Sequence, residues 1–386
     1  MPLTSRRSQV AASLALIATF GGVSLSLGSR VATGTIPDRL GDEAFWRMVS
    51  DYSEPGGFFR SDNFVSNEIT FQWVLPELAK TTKTGGVYMG VGPDQNFTYI
   101  VAMKPKIAFI VDIRRQNMLH HLLYKALIET SADRAEFLSK LFSRPRPAGL
   151  DAKDGSPALF QAFANATPDS VLFAKNLAAV KDQLVNKHRF ALTNDDLRTI
   201  EYVYTAFFAA GPDLTYSFTM PGRGSSMNFY GRRMPTYAEL MMESDGLGNQ
   251  RSYLANEENF RVLRDMQRSN LIVPLVGDFA GDKAIKSVGQ YLRDNGATVT
   301  AFYTSNVEQY LFQSDDWKRF FSNVGTLPLD STSTFIRAVF NYAQMPQTST
   351  TPGPRSRTML APIAEQVRLV DEGRIAAYYD VIQTSR

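Results

Sequence analysis

GVYMGVGPDQNFTYIVAMKPKIAFIVDIRRQN, Gly86 to Asn117, decides the fold. Val87-Tyr88-Met89 is a short apolar run that stops at Gly90-Val91-Gly92, Phe97 to Met103 has the length of a brief helix, and Pro105 ends it. Ile107 to Val111 is apolar at every position, with Asp112 at its carboxyl end. Two such runs joined by a helix suit a parallel sheet covered on both faces. In open parallel sheets ligands bind outside the carboxyl ends of the strands, which is where Gly90, Gly92 and Asp112 would lie.

The pattern returns late in the chain. Asn270 to Phe279 is a third apolar run, ending in Gly277-Asp278-Phe279, and Asp282 to Asn295 reads as a helix closed by Gly296. Ala297 to Tyr303 is expected as a strand, with Thr304-Ser305-Asn306 at its end, followed by short helices over Glu308–Phe312 and Trp317–Phe321 and a strand over Thr326–Leu329. Upstream, Asp38–Ser50 and Asn67–Lys80 read as helices around a Glu54-Pro55-Gly56-Gly57 turn, and Met118–Phe142 as one long helix. The expected fold is α/β, a Rossmann-like, doubly wound, mostly parallel sheet with a large, mainly helical insertion. Its parts would be 34–142 and 269–346 for the two halves of the sheet, 143–268 for a helical cap, and 347–386 for a linker and closing helix.

Composition limits the chemistry. The 386 residues carry a net charge of +3, too little for a strong polyanion-binding field, so nucleic acid is not an expected partner. There is no cysteine, and the three histidines (His120, His121, His188) are not spaced as a metal site. His120 and His121 are adjacent on a helix and would face different directions, in packing or surface roles. A Ser-His-Asp hydrolase would have to draw on these three.

The amino-terminal segment 1–33 has Arg6-Arg7 followed by an apolar stretch from Val10 to Leu27. This is the pattern of an export signal, or of an uncleaved membrane anchor. The expected location is therefore exported or periplasmic, with any membrane contact made through this segment, and cytoplasmic if the segment is not a signal.

A G-x-G turn after a first strand, an acid after the second and Gly-Asp after a later one together resemble class I S-adenosylmethionine-dependent methyltransferases, over about half of the chain. The resemblance implies S-adenosylmethionine as cofactor. Gly90 and Gly92 would lie by its amino-acid part, Asp112 at its ribose, and Asp278 with Phe279 beside its adenine, with Asn96 a further cofactor-binding candidate. The chain departs from the family in lacking a third glycine and in the long insertion between Asp112 and Gly277. The whole chain, VDIRRQN (111–117) and VGDFAG (276–281) above all, is also similar to an uncharacterised group of bacterial proteins.

Arg114 and Arg115 present planar forks suited to an anionic substrate, or are solvated arginines at a helix start. Ser305 and Asn306 would orient a small-molecule substrate, Asn306 equally serving as a helix cap; Tyr303 or Glu308 would take a proton. Asp330 to Thr334 reads as a capping cluster or a site wall. The loop Gly222–Arg233, with Arg223, Arg232 and Arg233, reads as a lid or as a solvated loop. Methyl transfer to a small molecule and non-catalytic binding by an exported scaffold both fit this pattern. S-Adenosylmethionine is made in the cytoplasm, so export and methyl transfer pull against each other.

Overall fold

The structure, a computed structural model, describes residues 35–217, 234–340 and 356–386. The export-like segment, the Gly222–Arg233 loop and the Pro/Ser/Thr-rich stretch before residue 356 lie outside the described residues. Among the described residues, no helix is long and apolar enough to cross a membrane.

Six strands form one sheet in the order β3-β2-β1-β4-β5-β6. They are β1 (Val87–Gly90), β2 (Ile107–Asp112), β3 (Ile272–Val276), β4 (Val299–Ser305), β5 (Thr334–Phe340) and β6 (Ser356–Pro362). The first five run parallel and β6 is antiparallel to β5. β1 is central, with Met89 beside Phe109 of β2 on one side and Phe302 of β4 on the other. It is buried along its whole length, which is why its sequence is apolar rather than alternating. Pro274, which donates no backbone hydrogen bond, sits in edge strand β3.

Helices α1 (Asp42–Tyr52) and α2 (Leu75–Thr81) precede β1, and α3 (Gln95–Met103) joins β1 to β2. The crossover from β2 to β3 carries α4 (Arg115–Glu129), α5 (Arg134–Phe142), α6 (Ser156–Ala164), α7 (Ser170–Asp182), α8 (Asn194–Ala210), α9 (Tyr237–Met242) and α10 (Glu257–Arg268). After β3 come α11 (Ala284–Asp294), α12 (Val307–Gln313) and α13 (Trp317–Gly325), and after β6 come α14 (Ile363–Asp371) and α15 (Tyr378–Gln383). Crossovers leave β1 toward β2 and β3, then return past β1 to β4. Right-handed connections therefore place α3 and α4 on one face and α11 on the other. The crossover helices share the apolar core of the sheet: Phe142, Phe160, Phe207 and Phe260 belong to the same cluster as Met89 and Phe302. Among them α8 and α10 pack on α4, and α10 also on α3.

Four expectations are corrected. Met118–Phe142 is two helices, because Asp133 takes an extended conformation and caps α5 through the Glu136 N–H. Asn67–Lys80 is helical only from Leu75. Thr326–Leu329 is not a strand; Asp330 instead folds the chain into a turn by accepting from the Thr332 N–H and hydroxyl, and the strand is Thr334–Phe340. Residues read as linker and as the start of the closing helix form β6, whose Leu360 exchanges both backbone hydrogen bonds with Arg386.

Both sheet edges are covered, which removes a template for pairing with other chains. Arg386 lies against β6, and the stretch after α1 lies against β3. There the Ser53 hydroxyl accepts from the Val276 N–H, and the Glu54 N–H donates to the Val276 carbonyl. The Glu54 carboxylate then gathers the N–H groups of Asp278, Lys283 and Ala284, tying the loop after β3 to the start of α11. A Cβ at Gly281 would overlap both oxygens of that carboxylate. Gly281→Ala is expected to destabilise the fold by about 1–3 kcal/mol, as overpacking does. Thermal unfolding measures it, and an unchanged melting temperature would refute the tie.

Candidate functional site

Strand order reverses between β1 and β4, so the loops leaving their carboxyl ends diverge and open a crevice. A cavity of about 480 Å³ lies there. Its floor comes from four strand ends: Val91, Gly92 and Gln95 after β1; Asp112, Ile113 and Arg114 after β2; Gly277, Asp278 and Phe279 after β3; and Tyr303, Ser305 and Asn306 at β4. Phe58, Phe59 and Glu68 line it from the segment before α2, and Tyr310 from α12.

The β1 loop is held from within. Asn96 is buried, and its amide donates to the carbonyls of Val91, Gly92 and Pro93 at 2.9, 3.3 and 2.6 Å, while its Oδ1 accepts from the Tyr88 hydroxyl at 2.8 Å. A Cβ at Gly90 would collide with Asn96 Oδ1, so this glycine is required by the loop's own packing. Gly92 has φ +78°, a conformation glycine adopts without penalty, and its carbonyl meets His121 Nε2 at 2.9 Å. Burial pushes His121 down to about 4, so at neutral pH the ring is uncharged and Nε2–H donates. His120 stacks on Tyr124. Both histidines pack, as the sequence suggested. Gly92 lines the cavity; Gly90 and Asn96 stand behind it and shape the turn.

Asp112 is engaged by its neighbour. Its Oδ1 accepts from the Arg114 N–H and Nε at 2.9 and 3.0 Å, and its Oδ2 from Nη2 at 2.9 Å. Arg114 Nη1 also donates to the carbonyls of Ser61 and Asp62. A carboxylate offers about four acceptor positions, so Asp112 keeps one. Arg115 does not reach the cavity; it is paired bidentately with Asp196 of α8 at 2.6 and 2.9 Å. The two arginines thus hold acids of the protein itself. Asp278 spends Oδ1 on the Ala280 N–H, and the Phe279 ring stacks on Phe320 at 5.5 Å.

Of the two proton-transfer candidates, Glu308 belongs elsewhere. It is buried in a bidentate pair with Arg337 of β5 at 2.6 and 2.9 Å, and Arg337 continues to Gln366 and Ser385. That network fastens α12, β5 and the carboxyl-terminal helices and leaves Glu308 outside the cavity lining. Tyr303 does line the cavity, but burial and the neighbouring Glu68 carboxyl push its phenol well above the ordinary range, so it keeps its proton. Asn306 occupies the N-cap position of α12 without a side-chain capping bond.

The acid that the sequence did not single out is Glu68. Its Oε1 accepts from the hydroxyls of Tyr303 and Ser305, both at 2.5 Å. Gln95 Nε2 donates to the same Tyr303 hydroxyl. Ser305 has φ +52°, and the β4–β5 register shifts between Tyr303 and Ser305, so the end of β4 bends and brings the serine to Glu68. The residue is 1% exposed. Burial raises its carboxyl to about 7, while hydrogen bonds from Ser305 and Tyr303 pull the other way. A group poised near neutrality in a cavity wall can hold or release a proton. Glu68 escaped notice because its partners lie more than two hundred positions away and nothing in Ser66-Asn67-Glu68 announces burial.

No curated protein matches the chain. A family model does match, over residues 63–151 and 158–358, spanning Glu68, the floor of the cavity from β1 to β4, and the crossover helices. The chain belongs to the family described as Domain of unknown function (DUF7790).

Proposed function

We propose that the cavity binds S-adenosylmethionine and that the protein transfers its methyl group to a small molecule. The observation that carries this reading is convergence: the G-x-G turn, Asp112 and Asp278-Phe279 come from separate stretches and meet at one crevice, where the strand order reverses.

When bound, the cofactor supplies an electrophilic methyl group; the protein contributes mainly position. Gly92 lets backbone approach the amino-acid end. Asp112 offers its one remaining acceptor position to a ribose hydroxyl. Asp278 Oδ2, which has no protein partner among the described residues, suits an exocyclic amine, with Phe279 beside it. Glu68, in the cavity wall with its carboxyl raised to about 7, would take the acceptor's proton.

Calorimetric titration of the full chain with S-adenosylmethionine and S-adenosylhomocysteine tests the proposal. Saturable binding of both is expected. No heat at millimolar ligand, with the fold intact by circular dichroism, would sink it.

One observation favours the alternative, an exported binding protein that keeps the fold without the cofactor. Two of the groups a cofactor would use are already occupied internally: Asp112 by Arg114, and the β1-loop carbonyls by Asn96. The same titration separates the two.

A further inference from the structure

The inner wall of the cavity holds two buried acceptors with nothing to accept. Glu68 Oε2 and Gln95 Oε1 each lack a hydrogen-bond partner among the described residues, and the residues are 1% and 3% exposed. Both line the cavity. Their other polar atoms are fixed by one chain of hydrogen bonds, in which Gln95 Nε2 donates to the Tyr303 hydroxyl, Tyr303 donates to Glu68 Oε1, and Ser305 donates to the same oxygen. Neither side chain can turn to satisfy its free oxygen without breaking that chain. A buried acceptor left unmatched is costly, so the arrangement calls for a donor from the ligand.

Charge narrows the ligand further. Among the described residues, the lining carries four acids (Glu68, Asp112, Asp278, Asp316) and one base, Arg114, which Asp112 already neutralises. The rings of Phe58, Phe59 and Tyr310 line the same space, with Phe59 and Tyr310 packed edge to face, and Phe58 is exposed where Glu68 is buried. A buried acid, Glu68, beside more exposed rings selects a cation with several N–H donors on an apolar body.

We propose that the buried end of this cavity recognises the ammonium group of an amine, which donates to Glu68 Oε2 and Gln95 Oε1, and that such an amine is the molecule methylated. The second clause rests on the methyl-transfer reading; the first does not. Burial holds the Glu68 carboxyl near 7, low enough for a cationic ligand to keep it ionised at neutral pH. In the transfer itself the ammonium first gives one proton to Glu68 Oε2. The freed nitrogen lone pair then forms the bond to the methyl carbon as the carbon–sulfur bond breaks, and the sulfur leaves with its electron pair as a thioether.

The test is calorimetry on the full chain with 2-phenylethylamine, 2-phenylethanol and 3-phenylpropionate, without any adenosyl ligand. The amine is expected to bind at least about tenfold more tightly than the alcohol, and the carboxylate most weakly. Glu68→Gln should abolish the amine's advantage over the alcohol, with thermal unfolding run on the same sample. Gln95→Met, which removes the second acceptor and keeps the volume, should reduce that advantage and provides the measurement if Glu68→Gln does not fold. Binding of none of the three compounds overturns the proposal, as does equal binding of amine and alcohol or a preference that survives in both variants. A separate titration with S-adenosylhomocysteine keeps the readings distinct: its failure beside intact amine selectivity removes methyl transfer and leaves the ammonium site standing.

Discussion

Arg337→Met lowers the unfolding free energy by about 3–5 kcal/mol, because it strands the Glu308 carboxylate in the interior without its counter-charge. The pair is enclosed, with side-chain exposures of 3% and 2%, so little water reaches Glu308 to compensate. The loss also unties Gln366 and Ser385, which Arg337 Nη1 holds at 3.1 and 3.0 Å. Denaturant titration with a constant slope measures the change. The double variant Glu308→Leu/Arg337→Met should recover most of the stability, since apolar groups of similar volume replace a buried pair at little net cost. It should also leave ligand binding in the cavity unaltered. If the single variant proved neutral, or the double variant abolished binding, Glu308 would return as a site residue and the structural role assigned to it would fail.

The contrast between Glu308 and Glu68 shows where sequence reading reaches its limit. Short apolar runs ending in glycine or acid made β1, β2 and β3 legible, because a strand buried on both faces has no polar positions to blur its ends. β5 is interrupted by Arg337 and β6 opens on Ser356-Arg357-Thr358, so neither stood out as a continuous apolar run. The cavity position followed from topology alone: Gly92, Asp112, Asp278, Phe279, Tyr303, Ser305 and Asn306 come together because strand ends do. Chemical roles did not follow. They depend on which acid meets which base, and those meetings are long-range: Arg115 finds Asp196 in α8, Glu308 finds Arg337 across β5, and Glu68 finds Tyr303 and Ser305 from a segment before β1. Only the Asp112–Arg114 pair was local enough to read from spacing. There the sequence suggested a substrate-facing arginine and a ribose-facing acid, where the structure has them bound to each other.

That pair is also where the cofactor reading can be tested at one residue. Asp112→Asn removes the charge and turns one acceptor into a donor, while keeping the shape. If the remaining acceptor position of Asp112 holds a ribose hydroxyl, S-adenosylmethionine affinity falls by about 1.5–3 kcal/mol, roughly 10- to 150-fold. Arg114→Met acts in the opposite direction on binding. It leaves only the Arg114 N–H on Oδ1 and returns two acceptor positions to the cavity, one on each oxygen. A vicinal diol can then take both oxygens, and affinity should rise even as stability drops with the loss of the guanidinium. Opposite signs in the two variants, measured by calorimetry beside thermal unfolding, identify Asp112 as a ligand contact with part of its capacity held by Arg114. If Asp112 serves only to anchor Arg114 against the Ser61 and Asp62 carbonyls, both variants lose stability and neither changes affinity. The ribose assignment would then be wrong, whatever else the cavity binds.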